Sequence, residues 1–141
     1  MHESSVESIE LELTLLVRRI TSFSSNKKLG DLDRSAYLLL NQIAASGTAG
    51  IKTLSEQLHL DISTVSRQTA ALESKGYVRK TPDPQDRRAY LFHNSEQGNE
   101  ALSVYRQRRL SRMSEMLQHW DEEELQRFGE LLRKFNESLC N

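Results

Sequence analysis

Residues 51–94 read IKTLSEQLHLDISTVSRQTAALESKGYVRKTPDPQDRRAYLFHN, and the reading of this stretch decides the fold. Leu54 and Leu58 stand four apart, on one face of a short helix. The chain breaks at Leu60-Asp61 and restarts behind Asp61 or Ser63, side chains that cap a helix by accepting from its unpaired first N–H groups. In the second helix Ile62, Val65, Thr69 and Leu72 recur at helical spacing and are expected to face inward. Ser63, Thr64, Ser66, Arg67 and Gln68 then fall on the other side, near the N-terminal end. Gly76 supplies the left-handed residue that stops the helix. The pattern is a helix-turn-helix, whose second helix meets base edges in the major groove of DNA.

Beyond Gly76 the hydrophobic period changes. Tyr77–Thr81 and Arg88–His93 are strand-like and are joined by Pro82-Asp83-Pro84-Gln85-Asp86. Both prolines of the chain lie in this connection, where φ is preset and no ladder donor is needed. A hairpin directly after a helix-turn-helix reads as a wing. Arg87 and Arg88 at its tip are long cations suited to a narrow minor groove with a deep negative potential. Spacing alone also allows a plain surface hairpin whose arginines pair with Asp83 and Asp86.

Outside this unit the chain is helical. A first helix is expected from about Glu3 to Ser24, with Ile9, Leu13, Leu16, Ile20 and Phe23 as an uninterrupted apolar seam. A polar loop, Ser25–Gly30, leads to a helix that starts near Asp31 or Asp33. That helix runs through Tyr37, Leu40, Ile43 and Ala44 to the turn Gly47-Thr48-Ala49-Gly50. After the wing, Asn94–Gly98 open a helix expected to reach Trp120, with Leu110, Met113, Leu117 and Trp120 as its seam. Arg106, Arg108, Arg109 and Arg112 decorate that helix, more in keeping with a solvated face than with phosphate contacts. Asp121 opens a last helix carrying Leu125, Phe128, Leu132, Phe135 and Leu139. Seams this bulky at both ends of a 141-residue chain have limited room for burial within one copy. They are expected to meet each other and the same pair from a second copy, a homodimer, with an intramolecular bundle as the alternative.

Charge supports the placement of the DNA-reading unit by its distribution and not by its total. Residues 52–93 carry seven basic and five acidic groups, a balance of +2, within a chain of net charge −1. No apolar run approaches the length of a membrane span, and no basic-then-apolar leader precedes the first helix, so a cytoplasmic, membrane-free protein is expected. The lone Cys140 fits a reducing compartment and has no cationic neighbour to activate it. His2, His59, His93 and His119 are scattered, without metal-ligand spacing. With no phosphate-cradling loop or nucleophile elbow either, neither an enzyme nor a cofactor is expected.

The order of elements, the segment TVSRQTAALESKGYVRK, and Asp86-Arg87-Arg88 followed by Asn94-Ser95 resemble the MarR (multiple antibiotic resistance regulator) family of winged helix-turn-helix repressors. The likeness spans nearly the whole chain. Its specific part is the Asp-x-Arg wing followed by the helix-opening pair. Where the family has Leu-Thr, this chain has Asn94-Ser95, which keeps the hydroxyl cap and replaces the apolar anchor by an amide.

The resemblance implies a mainly α fold with a small antiparallel β wing. Residues 1–30 and 96–141 would form the dimerisation helices and 31–95 the DNA-binding region of a single domain. Arg67 would read a base in the major groove, where its guanidinium can donate two parallel hydrogen bonds to guanine. Ser63, Thr64, Ser66 and Gln68 would supply shorter contacts. Arg88 would be the minor-groove finger and Asp86 the carboxylate that holds it, with Arg87 beside it as the other candidate. Lys80 and Arg79 would touch phosphates. A two-fold dimer implies an inverted-repeat operator in double-stranded DNA, with repression relieved by a small amphipathic or phenolic effector. Two other readings keep the same fold: a winged-helix module for a protein partner, and a redox- or metal-responsive regulator.

Overall fold

The computed structural model of the protein describes residues 3–24 and 32–140, without the side chains of 21–24. The Phe23 side chain and the Ser25–Gly30 loop lie outside the described residues. The described chain runs α1 (Glu3–Ser24), α2 (Arg34–Ser46), β1 (Ala49–Gly50), α3 (Ile51–Leu58), α4 (Ile62–Ser74), β2 (Val78–Asp83), β3 (Asp86–Asn94), α5 (Glu96–Met116) and α6 (Glu122–Ser138).

The helix-turn-helix packs around α2. Asp33 caps α2 by accepting from the Ala36 N–H at 2.8 Å, and Leu39, Leu40 and Ile43 from that helix are fully buried. Leu54 of α3 and Val65 and Leu72 of α4 close on them, with Tyr77, Val78, Phe92, Leu102 and Tyr105 completing one apolar cluster. Burial of this kind stabilises by about 1.5–3 kcal/mol per large side chain. Thr69 is buried among them because its hydroxyl donates to the Val65 carbonyl at 2.9 Å, leaving no unpaired polar group.

The turn between α3 and α4 bends on His59, the one non-glycine residue with positive φ (54°) among those described. Its N–H and that of Leu60 both donate to the Ser55 carbonyl, which closes the end of α3. A side chain in the left-handed region costs about 1 kcal/mol that glycine avoids. His59→Gly is therefore expected to raise stability by up to about 1 kcal/mol in urea denaturation, less the extra entropy of an unfolded glycine.

Two glycines then hold the wing to the recognition unit. Gly76, at φ 79°, ends α4 in a Schellman motif: its N–H donates to Glu73 O and that of Tyr77 to Leu72 O, both at 2.9 Å. Ser95 reaches back to the same turn. Its hydroxyl donates to Gly76 O at 2.6 Å and accepts from the Gly98 N–H at 3.0 Å, while its own N–H donates to Tyr77 O at 3.0 Å. Gly98 lies so close that a Cβ there would stand 2.0 Å from Tyr77 O. The amide at Asn94 does by hydrogen bonding what an apolar anchor would do by packing: Nδ2 donates to Leu40 O of α2 at 2.9 Å.

The sheet has the order β1-β3-β2 and is antiparallel throughout. Ala49-Gly50, expected as part of a turn, forms a third strand against Leu91 and Phe92. The hairpin is longer than its prolines suggested, since Pro82 and Asp83 belong to β2. β2 is an edge strand, so the donor that Pro82 lacks can face away from the ladder.

Two further expectations are corrected. α5 stops at Met116, and Leu117–Trp120 form a turn. The reason is Asp121, which needs an extended backbone (φ −79°, ψ 168°) to build a reciprocal capping box with Glu124 at the start of α6. Ile62, expected inside, is 58% exposed. Side chains lean toward a helix's N-terminus, so at the first position of α4 the ridge leans off the end of the helix and away from the core.

The terminal seams are not buried within the chain. Ile9, Leu16 and Ile20 of α1, Leu110 and Met113 of α5, Phe128, Leu132 and Phe135 of α6, and Leu139 just past its end are all exposed. Among the described residues, α1 contributes nothing to the buried core and α6 buries no residue.

Candidate nucleic-acid interface

The outer face of α4 is built from two rows at helical spacing. Ser63 and Arg67 form one; Ile62, Ser66 and Ala70 form the other, and all five are exposed. Thr64 is half-buried and its hydroxyl accepts from Arg67 Nη2 at 3.5 Å, a long contact that inclines the guanidinium toward the helix N-terminus. Gln68 lies elsewhere than the sequence suggested. It is half-buried and its Oε1 is enclosed without a hydrogen-bond partner among the described residues. The sequence reading also missed Ile62 and Ala70 on this face. Their spacing of four on either side of Ser66 was the available signal.

The wing tip is pinned by carboxylates acting on the backbone. Asp83 Oδ1 accepts from the Gln85 N–H at 2.9 Å and Asp86 Oδ1 from the Arg88 N–H at 3.0 Å. Asp83 pairs with Asp86 and Pro82 with Tyr90, so Arg87, Arg88 and Ala89 occupy a break in the strand register. Bulges of this kind re-aim side chains. Arg87 and Arg88 are exposed, and neither forms an ion pair among the described residues. Asp86 thus fixes Arg88 through its main chain and not through its guanidinium.

Lys80 joins the two halves of the interface. Its ammonium lies 3.7 Å from Glu73 on α4 and 4.7 Å from the centre of the Tyr90 ring on β3. With both ionic partners more than a third exposed, this contact orients the wing more than it stabilises the fold. Its side chain is still 43% exposed. Arg79 is exposed beside it. Cys140 is exposed. No cluster of three or more His, Cys, Asp or Glu residues suited to a metal is present among the described residues. No helix among them is long and apolar enough to cross a membrane.

A short helix, a tight turn, an outward-facing second helix and a bulged basic hairpin define a winged helix-turn-helix protein. The profile of the MarR family matches residues 32–90, the span from the start of the core to the wing. Over 141 residues the chain is 44% identical to YxaD, an uncharacterized HTH-type transcriptional regulator of Bacillus subtilis (strain 168), with 99% of each chain covered. The chain belongs to the MarR family and is a DNA-binding transcriptional regulator. Its fold is similar to that of a MarR family protein from Bacillus stearothermophilus, at 19% identity and a TM-score of 0.79, covering 100% of this chain and 99% of that one. It is also similar to a mutant MarR from E. coli complexed with operator DNA, at 23% identity and a TM-score of 0.74, covering 92% of this chain and 95% of that one.

Proposed function

We propose that the protein is a homodimeric repressor that binds an inverted-repeat operator through two copies of this interface. The observation that carries the reading is the exposed state of Arg67 and of the Arg87–Arg88 bulge, cations left without carboxylate partners among the described residues. Exposed guanidiniums on a protruding helix and hairpin are placed to meet guanine edges and phosphates, where each replaces condensed counterions. Arg67 reads a base in the major groove, with Ser63 and Ser66 adding short contacts and Thr64 positioning the guanidinium. The bulge presents Arg87 or Arg88 to the minor groove, and Lys80 sets the wing angle while its exposed part adds to phosphate binding.

The exposed seams of α1, α5 and α6 support the dimer, because apolar area of that extent is costly to leave in water. A two-fold pair would set its recognition helices about one DNA turn apart, roughly 34 Å. Bound near a promoter, the dimer would exclude polymerase. In the same reading a small amphipathic or phenolic effector relieves repression by favouring the dimer spacing that does not fit the operator.

Selection of bound sequences from random duplex DNA tests the proposal, and an enriched inverted repeat is the expected result. On that duplex, Arg67→Ala is expected to weaken binding by about 1–3 kcal/mol and to relax discrimination at one position per half-site. Arg88→Ala should instead weaken binding across sequences and flatten the dependence of affinity on salt. Enrichment of no sequence, with binding to heparin as tight as to any duplex, would refute the operator.

A further inference from the structure

We infer that Ile62 reads a thymine through its C5-methyl group and is a specificity-determining residue of the recognition helix. This rests on the operator reading above and goes beyond it by naming a base and the apolar contact that selects it. Most other large apolar side chains left in solvent lie on the terminal helices α1, α5 and α6. Ile62 does not. It stands at the first position of α4, 58% exposed, in line with the exposed Ser66 and Ala70 and beside Ser63 and Arg67.

The surroundings decide what such a side chain can meet. Ser66 and Ala70 are small, so the row behind Ile62 is low and the helix can approach a groove floor with the isoleucine projecting first. The prominent apolar feature on the major-groove floor is the thymine methyl group, present at A·T pairs and absent at G·C. A β-branched side chain in a helix is held to one χ1 rotamer, so the contact orders little that was free before. A docking site for a protein partner would need a wider apolar patch, and Ile62 is hemmed by serines and an arginine.

The test uses the full-length protein and the duplex recovered by selection, with each thymine replaced in turn by deoxyuridine. This substitution removes one methyl group and keeps the base pair. Wild-type protein is expected to lose about fourfold in affinity at one thymine of each half-site, the effect of one buried methyl group. Ile62→Ala should bind the parent duplex more weakly and be indifferent to deoxyuridine at that same position. Arg67→Ala, in the neighbouring row, should keep the deoxyuridine penalty. Because Ile62 is outside the core, the Ile62→Ala variant should melt with the wild type, and its circular dichroism verifies this. Wild-type indifference at every thymine, or an unchanged penalty in Ile62→Ala, overturns the assignment while the operator stands. Failure to enrich any duplex overturns both.

Discussion

Gly98→Ala is expected to cost about 3 kcal/mol of folding stability, the upper end of overpacking, although alanine is the better helix former. The added Cβ would stand 2.0 Å from Tyr77 O and 2.9 Å from Tyr77 C, both backbone atoms of a buried turn that cannot rotate aside. Moving that peptide breaks the hydrogen bond from Ser95 N to Tyr77 O and strains the one from Ser95 Oγ to Gly76 O. The wing base, the end of α4 and the start of α5 meet at this point, so the damage spreads to all three. Thermal denaturation should show a midpoint lowered by roughly 10 °C. Gln97→Ala, at the exposed neighbouring position, should stay within about 0.5 kcal/mol of wild type. An unchanged midpoint for Gly98→Ala would mean that α5 does not pass this close to the wing.

Leu132→Asp is expected to separate the dimer and take operator binding with it. Leu132 is 40% exposed in the single chain and lies outside the core cluster, so the substitution should leave each protomer folded. At a two-fold interface the change is made twice, and each copy loses about 1.5–3 kcal/mol of apolar burial and gains a charge that must be desolvated. Sedimentation should then show a monomer at micromolar concentration. A monomer engages only one half-site at a time, and the loss of linked binding should weaken operator affinity by roughly 10²–10⁴-fold. A dimer of wild-type strength would place the interface elsewhere than the α6 seam.

Much of this architecture was legible from residue types whose backbone chemistry allows few alternatives. Gly76 could be read as a helix stop because the left-handed conformation after α4 suits glycine, and Asp121 as a start because its carboxylate caps α6. Ser95 showed its cap for the same reason. Periodicity misled where a helix ends. The Leu110–Trp120 seam kept its spacing past Met116, since a turn can carry apolar residues at helical intervals, and Ile62 kept the phase of the core ridge while leaning off its end. The β1 strand was illegible because Ala49-Gly50 is too short to show alternation and is defined by its partners Leu91 and Phe92. On the interface, helical spacing and the family resemblance singled out Arg67, and position at the hairpin tip singled out the Arg87–Arg88 pair. The inward oxygen of Gln68, the backbone role of Asp86 and the Glu73–Lys80–Tyr90 brace depend on contacts across elements that no linear spacing encodes.

Changing the spacing of the selected inverted repeat tests most directly whether two interfaces are held one turn apart. Inserting about five base pairs between half-sites rotates one by half a helical turn, and inserting about ten restores its face. The expected result is a loss of at least a hundredfold in affinity for the half-turn insertion, down to that of an isolated half-site. Equal affinity for the parent and half-turn duplexes would contradict a rigid two-fold pair of recognition helices.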